Sequence, residues 1–472
     1  MAVKTSKSTF ALFFATRGFF PASLVASARD EMTRVMKELG HDFLVLDSQA
    51  TRHGAVETPA EGAIYAEFLK ENEGKFGGVI VCLSNFGDEN GATAALKHAG
   101  VPILVQAYPD ELDKMAPALR RDAFCGKLSI MDVFRQNGIK FTALQPHTTA
   151  PSSTAFAEQV DYFDRVCRVA NGMKEMVVGA VGARTSAFKT VRIDELALQR
   201  HGITMETFDL SDVFARMEEV EETDAGYKNK ADRLKSYTDF SRMPEDKFRK
   251  LTQLSVVLDK LVEEWRLVAL ALRCWNEMQT IVGISPCVLL SEMNDRFVTA
   301  ACEVDVGNAV AMYAATLASG NVSACLDWNN NYEDDDDKCI LFHCGPVPQS
   351  MMTANGRVTE HGIIGSVMDP ACTFGCNVGR ISPTPFTFTS MTTDCGELKF
   401  YVGQGEFTSD PIPDDFFGCA GVAEIPRLQE VLLHVGMEGH RHHVSVTPSH
   451  VAAPLTEALE YYLGFDVSIP QD

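Results

Sequence analysis

Four short apolar runs, at 10–15, 42–46, 78–82 and 102–106, punctuate the first 150 residues and leave room for a helix between most of them. Each is strand-sized rather than helix-sized, and most are rich in Val, Ile, Leu or Phe, as strands buried on both faces are. Strands that alternate with helices pair in parallel, because a parallel neighbour is reached only through a crossover. The rhythm predicts an α/β, Rossmann-like domain over residues 1–150 whose ligand-facing edge is the carboxyl end of its strands. Thr16-Arg17-Gly18 and Ser84-Asn85-Phe86-Gly87 stand at that edge.

The small, polar stretch 148–154 reads as a boundary. A second Rossmann-like α/β domain is expected over 151–290, with a helix at 158–171, strands at 176–181 and 204–208, and a helix at 193–200 between them. Gly179-Ala180-Val181-Gly182 does not fit G-x-G-x-x-G, so no dinucleotide fingerprint is present. The charge-rich segment 218–250 predicts a solvated helical hairpin. Residues 251–282 read as one long apolar helix, with Trp265 and Trp275 as core residues. Farther on, short runs at 339–344, 386–392, 398–402 and 443–447 are separated by Gly and Pro. They predict a β-rich, antiparallel or barrel-like C-terminal domain over 291–472.

The formal net charge of −22 repels phosphate backbones and anionic membranes, which argues against nucleic-acid or membrane partners. No apolar stretch approaches the roughly 20 residues of a membrane span. The apolar run at 10–15 imitates a secretory leader, but Arg17-Gly18 and Pro21 interrupt it and an amphipathic pattern follows. Thirteen cysteines in a chain of 472 residues are expected as free thiols in a reducing compartment, the cytoplasm. Cys339 and Cys344, with Cys372 and Cys376, do not have the tight spacing of a zinc knuckle, and no such site is expected there.

Two acids carry the chemistry. The run 297–302 ends in Glu303-Val304-Asp305, a helical pattern fills 307–318, and the run 321–326 ends in Asp327-Trp328. Read as one βαβ crossover, this places Glu303 and Asp327 at the same sheet edge, where they can share a metal or divide acid and base roles. The plain alternative is two loop acids capping the next elements. Three of the 12 histidines crowd into Gly439-His440-Arg441-His442-His443, and His443 opens a strand seven residues before His450. A neutral imidazole is a common third ligand beside two carboxylates.

These segments resemble the L-fucose isomerase and L-arabinose isomerase family. Glu303-Val304-Asp305-Val306-Gly307-Asn308 is similar to the segment bearing the family's metal-binding glutamate, and Asp327 follows at the spacing of the second carboxylate in the L-fucose branch. His443 with His450 resembles the family's paired C-terminal histidines, the first being the ligand. Phe342-His343-Cys344-Gly345 and Pro385-Phe386-Thr387-Phe388-Thr389 resemble further C-terminal segments. The resemblance implies two Rossmann-like domains followed by a β-rich one. It also implies Mn²⁺, with Mg²⁺ or Co²⁺ as substitutes, held by Glu303, Asp327 and His443. The implied activity is aldose–ketose isomerisation of a free sugar (a pentose, a 6-deoxyhexose or a C6-modified hexose), with Glu303 and Asp327 catalytic. Arg17, Trp328 and His343 are the expected sugar contacts, Trp328 having a core role as an equal alternative. Arg17 would act from a neighbouring subunit, which implies a homo-oligomer, trimer-based or hexameric. Another metal-enediolate enzyme, an epimerase or aldolase, and a non-catalytic sugar-binding protein are the rival readings.

Overall fold

The structure, a computed structural model, describes residues 6–471. It divides into two compact units, Ser6–Asn171 with Tyr461–Leu463, and Gly172–Glu460 with residues 464–471.

In the first unit β1 (Phe10–Ala15), β2 (Phe43–Val45), β3 (Gly78–Leu83) and β4 (Ile103–Ala107) form a parallel sheet in the order β2-β1-β3-β4. Every residue of β1, β3 and β4 is buried, which is why these strands read as unbroken apolar runs. Between the strands run the helices Ser23–Glu38, Pro59–Glu71 and Glu89–Leu96, each with one buried face. The helix Thr154–Gly172 adds Phe156, Val160, Phe163 and Cys167 to the same core.

The second unit begins with a sheet of the same design. Here β5 (Val177–Val181), β6 (Thr204–Phe208), β7 (Ala269–Leu272) and β8 (Thr299–Cys302) lie parallel in the order β6-β5-β7-β8. The segment 251–282 is not one helix. The helix Glu245–Glu264 ends at Trp265, Arg266 takes φ +54°, and the chain enters β7. An apolar run such as 267–272 fits a buried strand as well as a buried helix, and periodicity alone does not separate them.

The same unit also contains β9 (Ala324–Asn331), β10 (Lys338–His343), β11 (Arg357–Thr359), β12 (Cys376–Arg380), β13 (Thr384–Asp394), β14 (Glu397–Phe407), β15 (Cys419–Glu424), β16 (His443–Thr447) and β17 (Asp466–Ser468). They make one mixed, mostly antiparallel sheet in the order β11-β12-β15-β10-β9-β16-β13-β14-β17, and a further β14–β15 pairing closes six of them into a ring. The α/β character and the β-rich C-terminal region expected from sequence are both present.

One expectation changes. The strand–helix–strand piece around the two acids is not a single βαβ crossover: β8 lies in the parallel sheet, whereas β9 lies in the nine-stranded sheet, antiparallel to β10 and β16. The joining helix Val306–Ser319 is buried from Val306 to Ala318, capped by the Asp305 carboxylate and stopped by Gly320 at φ +68°. A helix apolar all round is covered on every side. It therefore links two sheets rather than lying on one.

Candidate active site

Glu303 leaves the carboxyl end of β8 with φ +63°, and Val304 follows at φ +58°. Two successive non-glycine residues in the left-handed region cost a few kcal/mol of backbone strain, roughly 1–3 each. The turn they make lets Asp305 cap the next helix while Glu303 faces a cavity.

The second acid is placed by register. Asp327 lies on β9 opposite His443 of β16 on one side and Phe342 of β10 on the other. His443 Nε2 is 2.8 Å from Glu303 Oε2 and 3.3 Å from Asp327 Oδ1. Three side chains far apart in sequence thus meet at one imidazole nitrogen, although the crossover imagined for the acids does not exist. The sheet ladder makes the meeting instead.

Asp305, not assigned a role from sequence, sets the state of that nitrogen. Its Oδ2 lies 2.8 Å from His443 Nδ1, and Asn308 Nδ2 and the buried Arg441 guanidinium donate to the same carboxylate. Burial opposes its charge, yet Arg441 and the hydrogen bond from His443 hold its carboxyl well below the usual range. A carboxylate acceptor at Nδ1 holds a proton there, so that when Nε2 gives up its own proton to an incoming cation the lone pair faces the cavity.

His343, at the end of β10, has the opposite polarity. Its Nδ1 accepts a 2.9 Å bond from the Cys344 backbone N–H, so in the neutral ring the proton sits on Nε2. Nε2 is buried without a hydrogen-bond partner among the described residues. One histidine therefore offers a lone pair and the other a donor, with ring centroids 5.7 Å apart.

The two acids are also driven apart. Burial resists ionisation of Glu303, but the hydrogen bond and charge of His443 outweigh it and lower its carboxyl; Trp275 Nε1 donates a further 3.0 Å bond to Oε1. Burial dominates at Asp327 and raises it. Environments that split two acids in this way are what acid–base pairs require.

The cavity has a volume of about 270 Å³ and is walled by Trp275, Phe342, His361, Ile363 and Ile364 beside the acids and His343. Phe188 stacks edge-on against Trp275 and His442 above His443. Trp275 and Phe188 were missed as site residues. The first was hidden in a pattern read as core helix, and the second stands alone in a loop after β5.

Other candidates lie elsewhere. Trp328 follows Asp327 on β9 and points to the opposite face, where its indole donates to the Tyr401 hydroxyl and packs edge-on against Phe388. That is a core role. His450 Nε2 meets the Gly405 carbonyl, and His442 Nε2 lies 3.7 Å from Asp327 Oδ1. Arg17, in the first unit, bonds through Nε to the Gly87 carbonyl, lies 3.4 Å from Glu89 and covers the Phe86 ring.

Whether these residues fit a divalent ion is settled by their unsatisfied atoms. Asp327 Oδ1 is buried without a hydrogen-bond partner among the described residues, and His443 Nε2 lies between the carboxylates of Glu303 and Asp327. Glu303, His343 and His443 bring ligand atoms within 4.8 Å of one another, as do Asp327, His442 and His443. Buried polar atoms left unmatched cost free energy unless something completes them. Carboxylate oxygens with imidazole suit Mn²⁺, Mg²⁺ or Co²⁺. The set fits.

Comparison with known proteins assigns the scaffold. The fucose/sulfoquinovose isomerase N-terminal domain matches residues 11–174, and the L-fucose isomerase C-terminal domain matches residues 341–470, together more than half of the chain. The protein belongs to the L-fucose isomerase-like family. It is an isomerase. Glu303 and Asp327 lie between the two matched stretches, so their placement rests on geometry. Similar curated proteins include the sulfoquinovose isomerase of Priestia aryabhattai, 23% identical over 310 residues, which are 64% of this chain and 67% of that protein. The sulfoquinovose isomerase of Alkalicoccus urumqiensis is 22% identical over 320 residues, covering 67% of this chain and 70% of its own.

Proposed function

We propose that the protein is an aldose–ketose isomerase for a free sugar, dependent on a divalent cation held by Glu303, Asp327 and His443. The convergence of these three groups on one buried nitrogen position carries the reading. Bound there, a divalent ion supplies Lewis-acid polarisation of adjacent sugar oxygens.

The protein's own groups handle the protons. Isomerisation moves one proton between C2 and C1 while carbonyl and hydroxyl exchange. Glu303, the more acidic carboxyl, is the base that takes the carbon-bound proton and returns it to the neighbouring carbon. Asp327, the less acidic, carries the proton exchanged between the two oxygens. His343 Nε2–H donates to a sugar oxygen, and Trp275 keeps the Glu303 carboxylate turned inward. Phe188 and Trp275 offer a face for the sugar's C–H surface, the part first given to Trp328. The enclosed apolar wall limits water, which strengthens each of these interactions.

Of the three sugar classes considered, a C6-modified hexose is favoured, because sulfoquinovose isomerases are the named relatives. No Arg or Lys is among the residues lining the cavity. A C6 anion therefore needs a cation from outside that lining, and we assign it to Arg17 of the partner subunit in a trimer-based or hexameric homo-oligomer. The proposal places the protein in the cytoplasm, supported by 13 free cysteines, an uncommon inventory for an oxidising compartment. Among the described residues no helix is long and apolar enough to cross a membrane.

The deciding experiment is a screen of free aldoses, sulfoquinovose included, with Mn²⁺, Mg²⁺ or Co²⁺ and ketose detection, beside Asp327→Asn. Ketose formation with solvent deuterium at C1, lost in the variant, is expected. Cleavage into two fragments would mark an aldolase, and sugar binding without turnover a binding protein; either outcome rejects the proposal.

A further inference from the structure

Behind the acids lies a second cluster, built of sulfur. Cys287 opens the helix Cys287–Asp295, Cys302 closes β8, Cys344 follows β10 and Cys376 opens β12; all four are buried. The Sγ atoms of Cys287 and Cys344 are 3.3 Å apart, and those of Cys287 and Cys376 are 4.0 Å apart. The sulfurs of Cys287, Cys302 and Cys344 form one triangle, and Cys376 stands outside it against Cys287.

A tetrahedral ion with zinc–sulfur bonds of about 2.3 Å spaces its ligands roughly 3.8 Å apart. The two measured separations fall on either side of that edge, and the sulfurs of Cys287, Cys302 and Cys344 lie within 4.8 Å of one another. Buried thiols that serve only as small apolar side chains are placed by their own strands and helices, with no need to converge. Here four separate elements converge. A closed set of sulfurs selects soft, thiophilic ions and disfavours the hard ions that suit carboxylates.

We propose that Cys287, Cys302 and Cys344 bind one thiophilic d¹⁰ cation such as Zn²⁺ through a trigonal set of sulfurs, distinct from the carboxylates and imidazoles that would hold the hard ion. Binding exchanges each S–H proton, released to solvent, for a metal–sulfur bond, and no electron is transferred. Cys302 directly precedes Glu303, and Cys344 directly follows His343. The ion would pin the backbone on both sides of the cavity floor, making this a positioning site rather than a catalytic one.

The test uses the full chain, reduced and freed of metal, titrated with Co²⁺ alone. The expected result is a near-ultraviolet sulfur-to-cobalt charge-transfer band that saturates on titration, is bleached by Zn²⁺, kept in Asp327→Asn and lost in Cys287→Ser. The band reports sulfur ligation alone, so this readout is independent of isomerase activity and of the proposed reaction. Should Cys287→Ser fail to fold, alkylation of the unaltered chain in mild denaturant, mapped by mass spectrometry, gives the answer. Zn²⁺ is expected to slow labelling of Cys287, Cys302 and Cys344 about tenfold or more, as a ligand bound only by the folded form would, and to leave exposed Cys125 and Cys395 unaffected. Absence of the band, its survival in Cys287→Ser, labelling indifferent to Zn²⁺, or a Cys287–Cys344 disulfide in freshly reduced protein would overturn the site.

Discussion

The two four-stranded parallel sheets share one strand order, the second strand outside the first and the third and fourth beyond it, yet they use their carboxyl edges differently. At the edge of the first, the loops after β1 and β3 satisfy each other. Asn85 Nδ2 donates to Thr16, Asn85 Oδ1 accepts from the Arg17 backbone, and Arg17 is tied to Gly87 and Glu89. At the edge of the second, Glu303 is held in a strained turn beside Asp327 Oδ1 and His343 Nε2, which are buried without a hydrogen-bond partner among the described residues. The scaffold is common to both, and the strained acid beside unmatched groups is what the proposed function draws on.

The most severe way to break the comparison is to remove the proposed base. Glu303→Gln keeps the shape of the side chain, and a positioned general base is worth about 10²–10⁴ in rate. A fall in kcat of about 10³-fold is expected, with an unchanged circular dichroism spectrum. A variant retaining more than a tenth of the parent rate would return Glu303 to an ordinary loop acid.

Asp305→Asn should produce the next largest effect. It removes the charge that fixes the His443 tautomer and pairs buried Arg441. Divalent affinity, measured by calorimetry, is expected to weaken about 10–100-fold. Stability should fall by roughly 3–5 kcal/mol, because a buried guanidinium loses its partner. Unchanged affinity with lowered stability would restrict Asp305 to a structural part.

Much of this arrangement could be read from sequence, and the limits have physical causes. The strands of the first sheet were legible because burial on both faces writes an apolar run. Glu303, Asp327 and His443 were legible because scarce histidines and strand-end acids stand out. The crossover was misread because strand, helix, strand looks alike whether both strands join one sheet or two. Asp305 sat inside a quoted segment without a role, since only the fold shows that His443 Nδ1 faces it. The thiol cluster was less visible still: sequence grouped Cys344 with Cys339 by spacing, whereas space groups it with Cys287, Cys302 and Cys376, which lie on four separate elements. Short-range patterns write secondary structure; they do not write which distant segments meet.

Arg17 sharpens the comparison from the side of the first sheet. If its edge contributes to the sugar site of a neighbouring subunit, Arg17→Ala should raise KM for an anionic sugar about tenfold or more, the size of a charge-assisted hydrogen bond. Its KM for an uncharged sugar should change less, and its divalent affinity should not change. Equal effects on both sugars would leave Arg17 as the local tie to Gly87 and Glu89 that its own unit shows.

The smallest effect separates a buried charge that is structural from those that are functional. Lys127, on the helix Ala123–Gln136 of the first unit, is almost wholly buried and donates a 2.7 Å bond to the His147 carbonyl. Burial brings its ammonium down to about 8. The unfolded chain, with lysine near 10.4, binds more protons between those values, so folding stability should rise with pH across that window. Below about pH 8 both states are charged and the cost of burial, on the order of 3 kcal/mol, is fully present. Lys127→Met avoids that cost at the expense of one hydrogen bond. Its stability relative to the parent should therefore be greatest near neutral pH and decline steadily toward pH 10, as followed by denaturant unfolding. A difference independent of pH would mean that the ammonium is solvated in the folded protein.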